Sequence, residues 1–239
     1  MKILSMETST LLAGVAVVEN GKVLAQESSL RGKSHSELIS PFIDQVLKKS
    51  GLKLKDIDVF AVGQGPGSFT GIRVGANAGK TFAFTYDKPM VTIDSLVLLA
   101  AQVTLNPGHQ SGRPVLTIIN AYKNMVYFGL FDVSGDEPKY LKGPMAVPVR
   151  ELSDHIESEV LVVGDGWEAF HSYFPEKLSR LCHRDNRLSD YPLAETLGLL
   201  SEKHAREGKT LDWKSYIPLY IRASEAEESK RGILISPLK

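Results

Sequence analysis

From Gly63 to Ala83 the chain reads G-Q-G-P-G-S-F-T-G-I-R-V-G-A-N-A-G-K-T-F-A, and this run restricts the fold more than any other. It follows a short apolar stretch, Val59-Phe60-Ala61-Val62, that reads as a buried strand. Glycines at 63, 65 and 67, with Pro66 among them, interrupt the strand and let the backbone turn and approach another group closely. From Ser68 the pattern is helical, and Gly71, Gly75, Gly79 and Ala83 recur every four residues, so they share one face. Each helix-interior glycine costs about 1 kcal/mol relative to alanine. Three on one stripe need a compensating contact, and the most direct one is a second helix packed nearly backbone to backbone. The expectation is a tight helix–helix contact, inside the fold or with a partner.

Two phosphate-binding readings of this segment fail on spacing. A P-loop needs G-x-x-x-x-G-K-[ST]. Gly79-Lys80-Thr81 supplies its end, but Val74 stands where its first glycine belongs. The dinucleotide fingerprint G-x-G-x-x-G fails because Ser68 takes the place of the third glycine.

The chain has 239 residues and a formal net charge of zero. That length allows one large domain or two modest lobes. Zero charge argues against a protein that grips nucleic acid strongly by itself. The single cysteine, Cys182, excludes an internal disulfide and suits a reducing compartment. The N-terminal M-K-I-L-S-M-E-T-S-T enters strand-like alternation directly. No signal peptide or membrane span is expected, and a cytoplasmic location is.

Strands are expected at Lys2 to Glu7, Gly14 to Glu19 and Lys22 to Ser28, the last two joined by an Asn20-Gly21 hairpin. A helix follows, with Ser34 and Glu37 as a capping box, Leu38, Ile39, Phe42, Ile43, Val46 and Leu47 on one face, and Pro41 inside it. Strand 58–63, the glycine-striped helix, a short strand Pro89 to Thr92 and a helix to about Leu105 complete this half. The clearest break spans Asn106-Pro107-Gly108 and Gly112-Arg113-Pro114. Beyond it come strands Val115 to Asn120, Met125 to Val133 and Lys139 to Gly143, a helix Glu151 to Glu157, and a strand Val160 to Val163 ending in Gly164-Asp165-Gly166. A helix Trp167 to Phe174 and another from Tyr191 to Arg206, capped by Asp190, follow. The Glu- and Lys-rich tail after Ser224 is expected to be mobile.

The order β-β-β-α-β-α thus occurs twice. The expected fold is α/β, two-lobed, like the actin/Hsp70/sugar-kinase architecture, with lobes at 1–106 and 107–239 and the late helix and tail packing back on the first lobe. In that architecture the first hairpin of each lobe faces nucleotide phosphates in the cleft, and a strand–glycine–helix turn approaches the adenosine.

M-E-T-S-T, the Asn-Gly hairpin, S-H-S-E-L-I-S-P, G-P-G-S-F-T-G-I-R-V-G and the late I-P-L-Y-I-R together resemble the TsaB (YeaZ) family over nearly the whole chain. The resemblance implies a non-catalytic relative of TsaD, the subunit that forms N6-threonylcarbamoyladenosine at position 37 of ANN-decoding tRNAs. It implies pairing with TsaD through the first two helices of the first lobe, joint action with the ATPase TsaE, and contact with tRNA through the complex. One departure stands out: the family commonly shows D-A-R where this chain has Asn120-Ala121-Tyr122, so charges at that hairpin are lost.

The expected partner-binding positions are Gly71, Gly75, Gly79 and Ala83 with Ser36, Ser40 and Gln45 of the preceding helix. Alone, that face is expected to pair with a second copy. Candidate nucleotide-binding residues are Glu7, Thr8, Ser9 and Thr10 and the Gly164 and Gly166 turn, with ATP or ADP and magnesium at the cleft or partner interface and no tightly bound cofactor. The first hairpin lacks the glycine that lets backbone N–H groups reach a phosphate, so these residues read equally as a strand end bonded to its own turn. Gly164 and Gly166 either admit an adenine or only turn strand into helix. No catalytic residue and no metal site are expected. The six histidines (35, 109, 155, 171, 183 and 204) contain no H-x-x-x-H pair of the kind TsaD-like subunits use, and Ser68 lies outside a G-x-S-x-G elbow. An ATP-dependent kinase or ATPase is the competing reading, with a metallopeptidase-like protein behind it. Tyr122-Lys123-Asn124 at a hairpin tip could touch RNA or a partner, or be a solvated turn. Lys203, His204, Arg206, Lys209 and Lys214 form a local basic run that could guide tRNA phosphates or merely complement a helix end.

Overall fold

A computed structural model describes residues 1–30, 35–106 and 112–223. Ser34 of the expected capping box, the break at 107–111 and the tail from residue 224 lie outside the described residues. The chain divides into two compact units, Met1–Leu98 with Pro192–Leu219, and Leu99–Tyr191 with the chain from Tyr220. The boundary falls at Leu98/Leu99 instead of the expected 106/107, while residues 192–219, with the late helix, group with the N-terminal half as expected.

In the first unit, β1 (Lys2–Glu7), β2 (Ala13–Glu19), β3 (Lys22–Ser29), β4 (Val59–Gly63) and β5 (Met90–Ile93) form one sheet in the order β3-β2-β1-β4-β5. β1 pairs antiparallel with β2 and parallel with β4. Asn20 and Gly21 both have positive φ, as the tight β2–β3 turn demands. Successive β1 side chains point to opposite faces. Leu4 and Met6 join a core with Ile39, Phe42, Ile43, Val46 and Leu47 of α1 (His35–Ser50) and Ala76 and Ala83 of α2 (Phe69–Tyr86). Pro41 interrupts α1 on its exposed side. On the other face Ser5 Oγ donates to the Ala194 carbonyl (2.6 Å) at the start of α6 (Ala194–Arg206). With both faces covered, β1 is buried almost end to end.

Helix α6 begins at Ala194, three residues after the expected Tyr191, and Asp190 does not cap it. The preceding Leu193 offers no side-chain cap. Buried Glu202 of α6 accepts from the Asn20 (3.1 Å) and Gly21 (2.7 Å) N–H groups and so ties the hairpin turn to the helix. Arg206 bonds Glu202 and Asn20 Oδ1, Lys209 pairs with Glu207, and the Lys214 ammonium lies over the Trp213 ring. The basic run is therefore largely engaged within its own neighbourhood.

Helix α3 (Ser95–Thr104) opens with Asp94, whose carboxylate accepts from the Leu96 N–H (2.7 Å). The second unit repeats the sheet: β6 (Val115–Asn120), β7 (Met125–Asp132), β8 (Lys139–Pro148), β9 (Val160–Val163) and β10 (Cys182–His183) lie in the order β10-β9-β6-β7-β8. Again the first three strands form an antiparallel meander and the fourth runs parallel to the first. This duplicated α/β topology is the one expected for the actin/Hsp70/sugar-kinase architecture. Its helical cover is slighter: a 3-10 segment Val149–His155, α4 (Gly166–Phe170), a 3-10 turn His171–Tyr173 and α5 (Glu176–Leu181). β8 runs five residues past the expected Gly143, and β10 and α5 had no distinct signal in the sequence. Leu152, Ile156, Phe170, Phe174 and Leu178 supply the apolar cover over Leu116, Ile118, Val160 and Val162.

Candidate functional site

The glycine stripe of α2 faces inward, onto its own sheet. A Cβ on Gly71 would overlap the Thr8 carbonyl oxygen, one on Gly75 would lie 2.7 Å from Thr8 Oγ1, and one on Gly79 would lie 2.5 Å from Val62 Cγ1. Ala83 is equally buried. Gly71, Gly75, Gly79 and Ala83 are therefore not on a partner-binding surface, contrary to the sequence-based expectation. The missing side chains make room for Thr8 just after β1, for His35 at the start of α1 (2.9 Å from a Cβ on Gly71) and, at Gly79, for Val62 of β4 and Met90 of β5. Ser36, Ser40 and Gln45 of α1 are exposed, as are Arg73, Asn77, Thr81 and Phe84 on the outer side of α2.

The residues Glu7 to Thr10 are all buried. The glycine turn between β4 and α2 closes over them. A Cβ on Gly63 would fall on the Glu7 carboxylate, and one on Gly67 on the Ser9 carbonyl. Most polar groups of the β1–β2 turn are used within the unit, Thr10 Oγ1 having no hydrogen-bond partner. Ser9 N–H donates to Glu7 Oε1 (2.6 Å), the Ser9 carbonyl accepts from Ser68 N–H (2.6 Å), Thr8 Oγ1 donates to the Gly71 carbonyl (2.7 Å), and Ser95 Oγ donates to Ser9 Oγ (2.8 Å). Ser68 in turn caps α2 by accepting from Gly71 N–H. Burial drives the Glu7 carboxyl up to about 7, and its Oε2 has no hydrogen-bond partner. A phosphate needs open backbone N–H groups and space. In the Glu7, Thr8, Ser9 and Thr10 turn the Ser9 N–H is taken by Glu7 Oε1 and all four residues are buried. Among the described residues no group of three or more His, Cys, Asp or Glu side chains could hold a metal.

Gly164 and Gly166 lie in the second unit, at the end of β9. A Cβ on Gly164 would overlap the Ile118 carbonyl oxygen, and one on Gly166 would lie 3.1 Å from it. Close packing on β6 calls for glycine at both positions. Around them is a polar cluster the sequence did not reveal. Asp165 accepts from Asn120 N–H (2.9 Å), and Asp190 accepts from Gly164 N–H (3.0 Å). Arg184 bridges Asp190 (2.6 Å) and the Val162 carbonyl (2.7 Å). Burial, helped by the nearby Asp190 charge, raises the Asp165 carboxyl to about 6. Arg184 and Asp190 lie outside any motif. Only their fold-dependent meeting marks them.

Among the described residues no helix is long and apolar enough to cross a membrane. The family model for TsaD, tRNA N6-adenosine threonylcarbamoyltransferase, matches residues 23–230. The tRNA threonylcarbamoyladenosine biosynthesis protein TsaB of Escherichia coli is 30% identical over 97% of this chain and 99% of its own length. Its namesake in Haemophilus influenzae is 33% identical over 93% and 94%. The solved structure of YeaZ from Pseudomonas aeruginosa superposes with a TM-score of 0.78 at 23% identity, over 92% of this chain and 99% of that one, and so shares the fold. By near-full-length similarity in sequence, and by the topology it shares with YeaZ, the chain belongs to the TsaB (YeaZ) family.

Proposed function

We propose that this chain is a non-catalytic scaffold and activator in the formation of N6-threonylcarbamoyladenosine at position 37 of ANN-decoding tRNAs, pairing with TsaD and acting with TsaE. The observation that carries the non-catalytic part is the closed β1–β2 turn. Glu7, Thr8, Ser9 and Thr10 are packed under the glycines of the β4–α2 turn, and their polar groups are largely satisfied there. The pathway itself is taken from the names of the full-length relatives. Any ATP or ADP with magnesium then belongs to a partner or a shared interface rather than to this turn.

The docking face is the outer side of α1 and α2, with Ser36, Ser40 and Gln45 on one helix and Arg73, Asn77 and Thr81 on the other. The inward glycines draw α2 down onto the sheet and so fix where that outer face stands. In the absence of TsaD the same face pairs with a second copy. The test is reconstitution from TsaD, TsaE, ATP, magnesium, a threonylcarbamoyl-adenylate source and an ANN-decoding tRNA. Modified adenosine is expected only when this chain is added. Equal yield without it overturns the proposal, and so does threonylcarbamoyl transfer by this chain alone.

A further inference from the structure

The chain closes two of its antiparallel hairpins in opposite ways. Between β2 and β3 it uses Asn20-Gly21, the residues that tolerate positive φ most readily. Between β6 and β7 it uses Tyr122 (φ 56°), Lys123 (φ 50°) and Asn124 (φ 59°), three successive left-handed residues with no glycine among them. A bulky residue in this region is uncommon and costly, and a run of three persists only where the surroundings hold it. They do so here. Asn120 Oδ1 accepts from Tyr122 N–H (2.8 Å), the Tyr122 carbonyl accepts from Met125 N–H (3.0 Å), and the Asn124 carbonyl accepts from Val149 N–H (3.0 Å). The Arg222 guanidinium donates to the Ala121 carbonyl (2.6 Å).

At the tip only Ala121 is buried. The scaffolding holds the Tyr122 ring 59% exposed, with Lys123 exposed beside it. Residues 120–125 (N-A-Y-K-N-M) contain no acid, Arg222 adds a second positive charge, and the acid bonded to them, Asp165 on the Asn120 N–H, is itself largely buried. A protein hot spot seats its aromatic anchor within an apolar ring of neighbours. Here Tyr122 stands in sequence among Lys123, Asn124 and Asn120, a polar and basic setting that suits a polyanion with exposed planar bases.

We propose that the β6–β7 tip is a tRNA contact, in which the Tyr122 ring stacks on an unpaired base and Lys123 meets an adjoining phosphate. The inference rests on the reading that this chain works on tRNA. It is tested by fluorescence anisotropy of a labelled ANN-decoding tRNA transcript titrated with the full chain in complex with TsaD. Tyr122→Ala is expected to weaken tRNA binding about tenfold, the loss of one stacked base, while Tyr122→Phe stays within about twofold of the parent. Lys123→Gln is expected to weaken it less and to reduce the salt dependence. Thermal melts of each variant confirm folding. Unchanged tRNA affinity in a folded Tyr122→Ala variant overturns the inference. Loss of TsaD affinity instead of tRNA affinity also overturns it, by making the tip a protein contact. Anisotropy requires no modification chemistry. If the assembly modifies tRNA but the Tyr122 variants bind alike, this inference alone falls; if no modification depends on this chain, the proposed function falls.

Discussion

The two units share one strand order, yet their first hairpins differ in what they expose. In the first unit glycines from the following strand–helix junction cover the start of the β1–β2 turn, where every residue from Glu7 to Thr10 is buried, and Leu11 beyond them is exposed. In the second the β6–β7 turn stands out from its sheet on three left-handed residues. The corresponding strand–helix junction, Gly164-Asp165-Gly166, packs against β6 at Ile118 and Asn120 instead of over the turn. A duplicated topology thus fixes where such turns lie but not what they do. Side-chain volume at a few positions decides whether a turn becomes core or surface.

Substitutions at the two sets of glycines should break this comparison most sharply. Gly71→Ala places a methyl on the Thr8 carbonyl, and backbone cannot swing away as a side-chain tip can. It is expected to cost about 3 kcal/mol or more. Gly166→Ala meets Ile118 at 3.1 Å and is expected to cost roughly 1 kcal/mol. Urea unfolding of both variants reads the difference, and equal costs would mean that the Gly71 contact on Thr8 is no tighter than the Gly166 contact on Ile118.

The buried carboxyls sharpen the comparison through pH. Glu7 is raised from 4.5 to about 7 in the folded chain, so the native state holds its proton over a range where the unfolded chain has lost it. Its contribution to stability is full below about 4.5 and is lost as the pH rises through about 7, a difference of roughly 3 kcal/mol. Asp165 has the same sign over the window from 3.8 to about 6. Glu7→Gln is expected to flatten the upper part of the stability–pH curve and to leave the variant more stable than the parent at pH 8. A curve unchanged between pH 5 and 8 would show that Glu7 is not the group responsible.

The smallest effect concerns the second hairpin. Lys123→Gly removes one left-handed side chain and is expected to raise stability by up to about 1 kcal/mol, measured by thermal melts. A destabilised variant would mean that the turn is not held against its own preference.

Much of the fold could be read from the sequence. Alternation in Lys2–Glu7 and Val115–Asn120, the Asn20-Gly21 turn and the apolar face of α1 are local signals, and local signals survive folding. The glycine stripe was legible as a close contact but not as to its neighbour, because four-residue spacing reports which face is small and not what lies opposite. Helix on sheet and helix on helix ask the same of it. Glu7 through Thr10 could be read as a polar strand end, and their burial could not, since it depends on Gly63, Gly67 and Gly71 arriving from more than fifty positions away. Asp190 illustrates the same limit. Its position before a helix suggested a cap, whereas Arg184 and the Gly164 N–H claim it.

The most direct test of the account is calorimetric titration of TsaD with the Asn77→Arg variant, which puts a long charged side chain on the outer face of α2 and touches none of the inward glycines. The account predicts an unchanged melting temperature and TsaD binding weakened about tenfold or more. A folded variant that binds TsaD as tightly as the parent would contradict it.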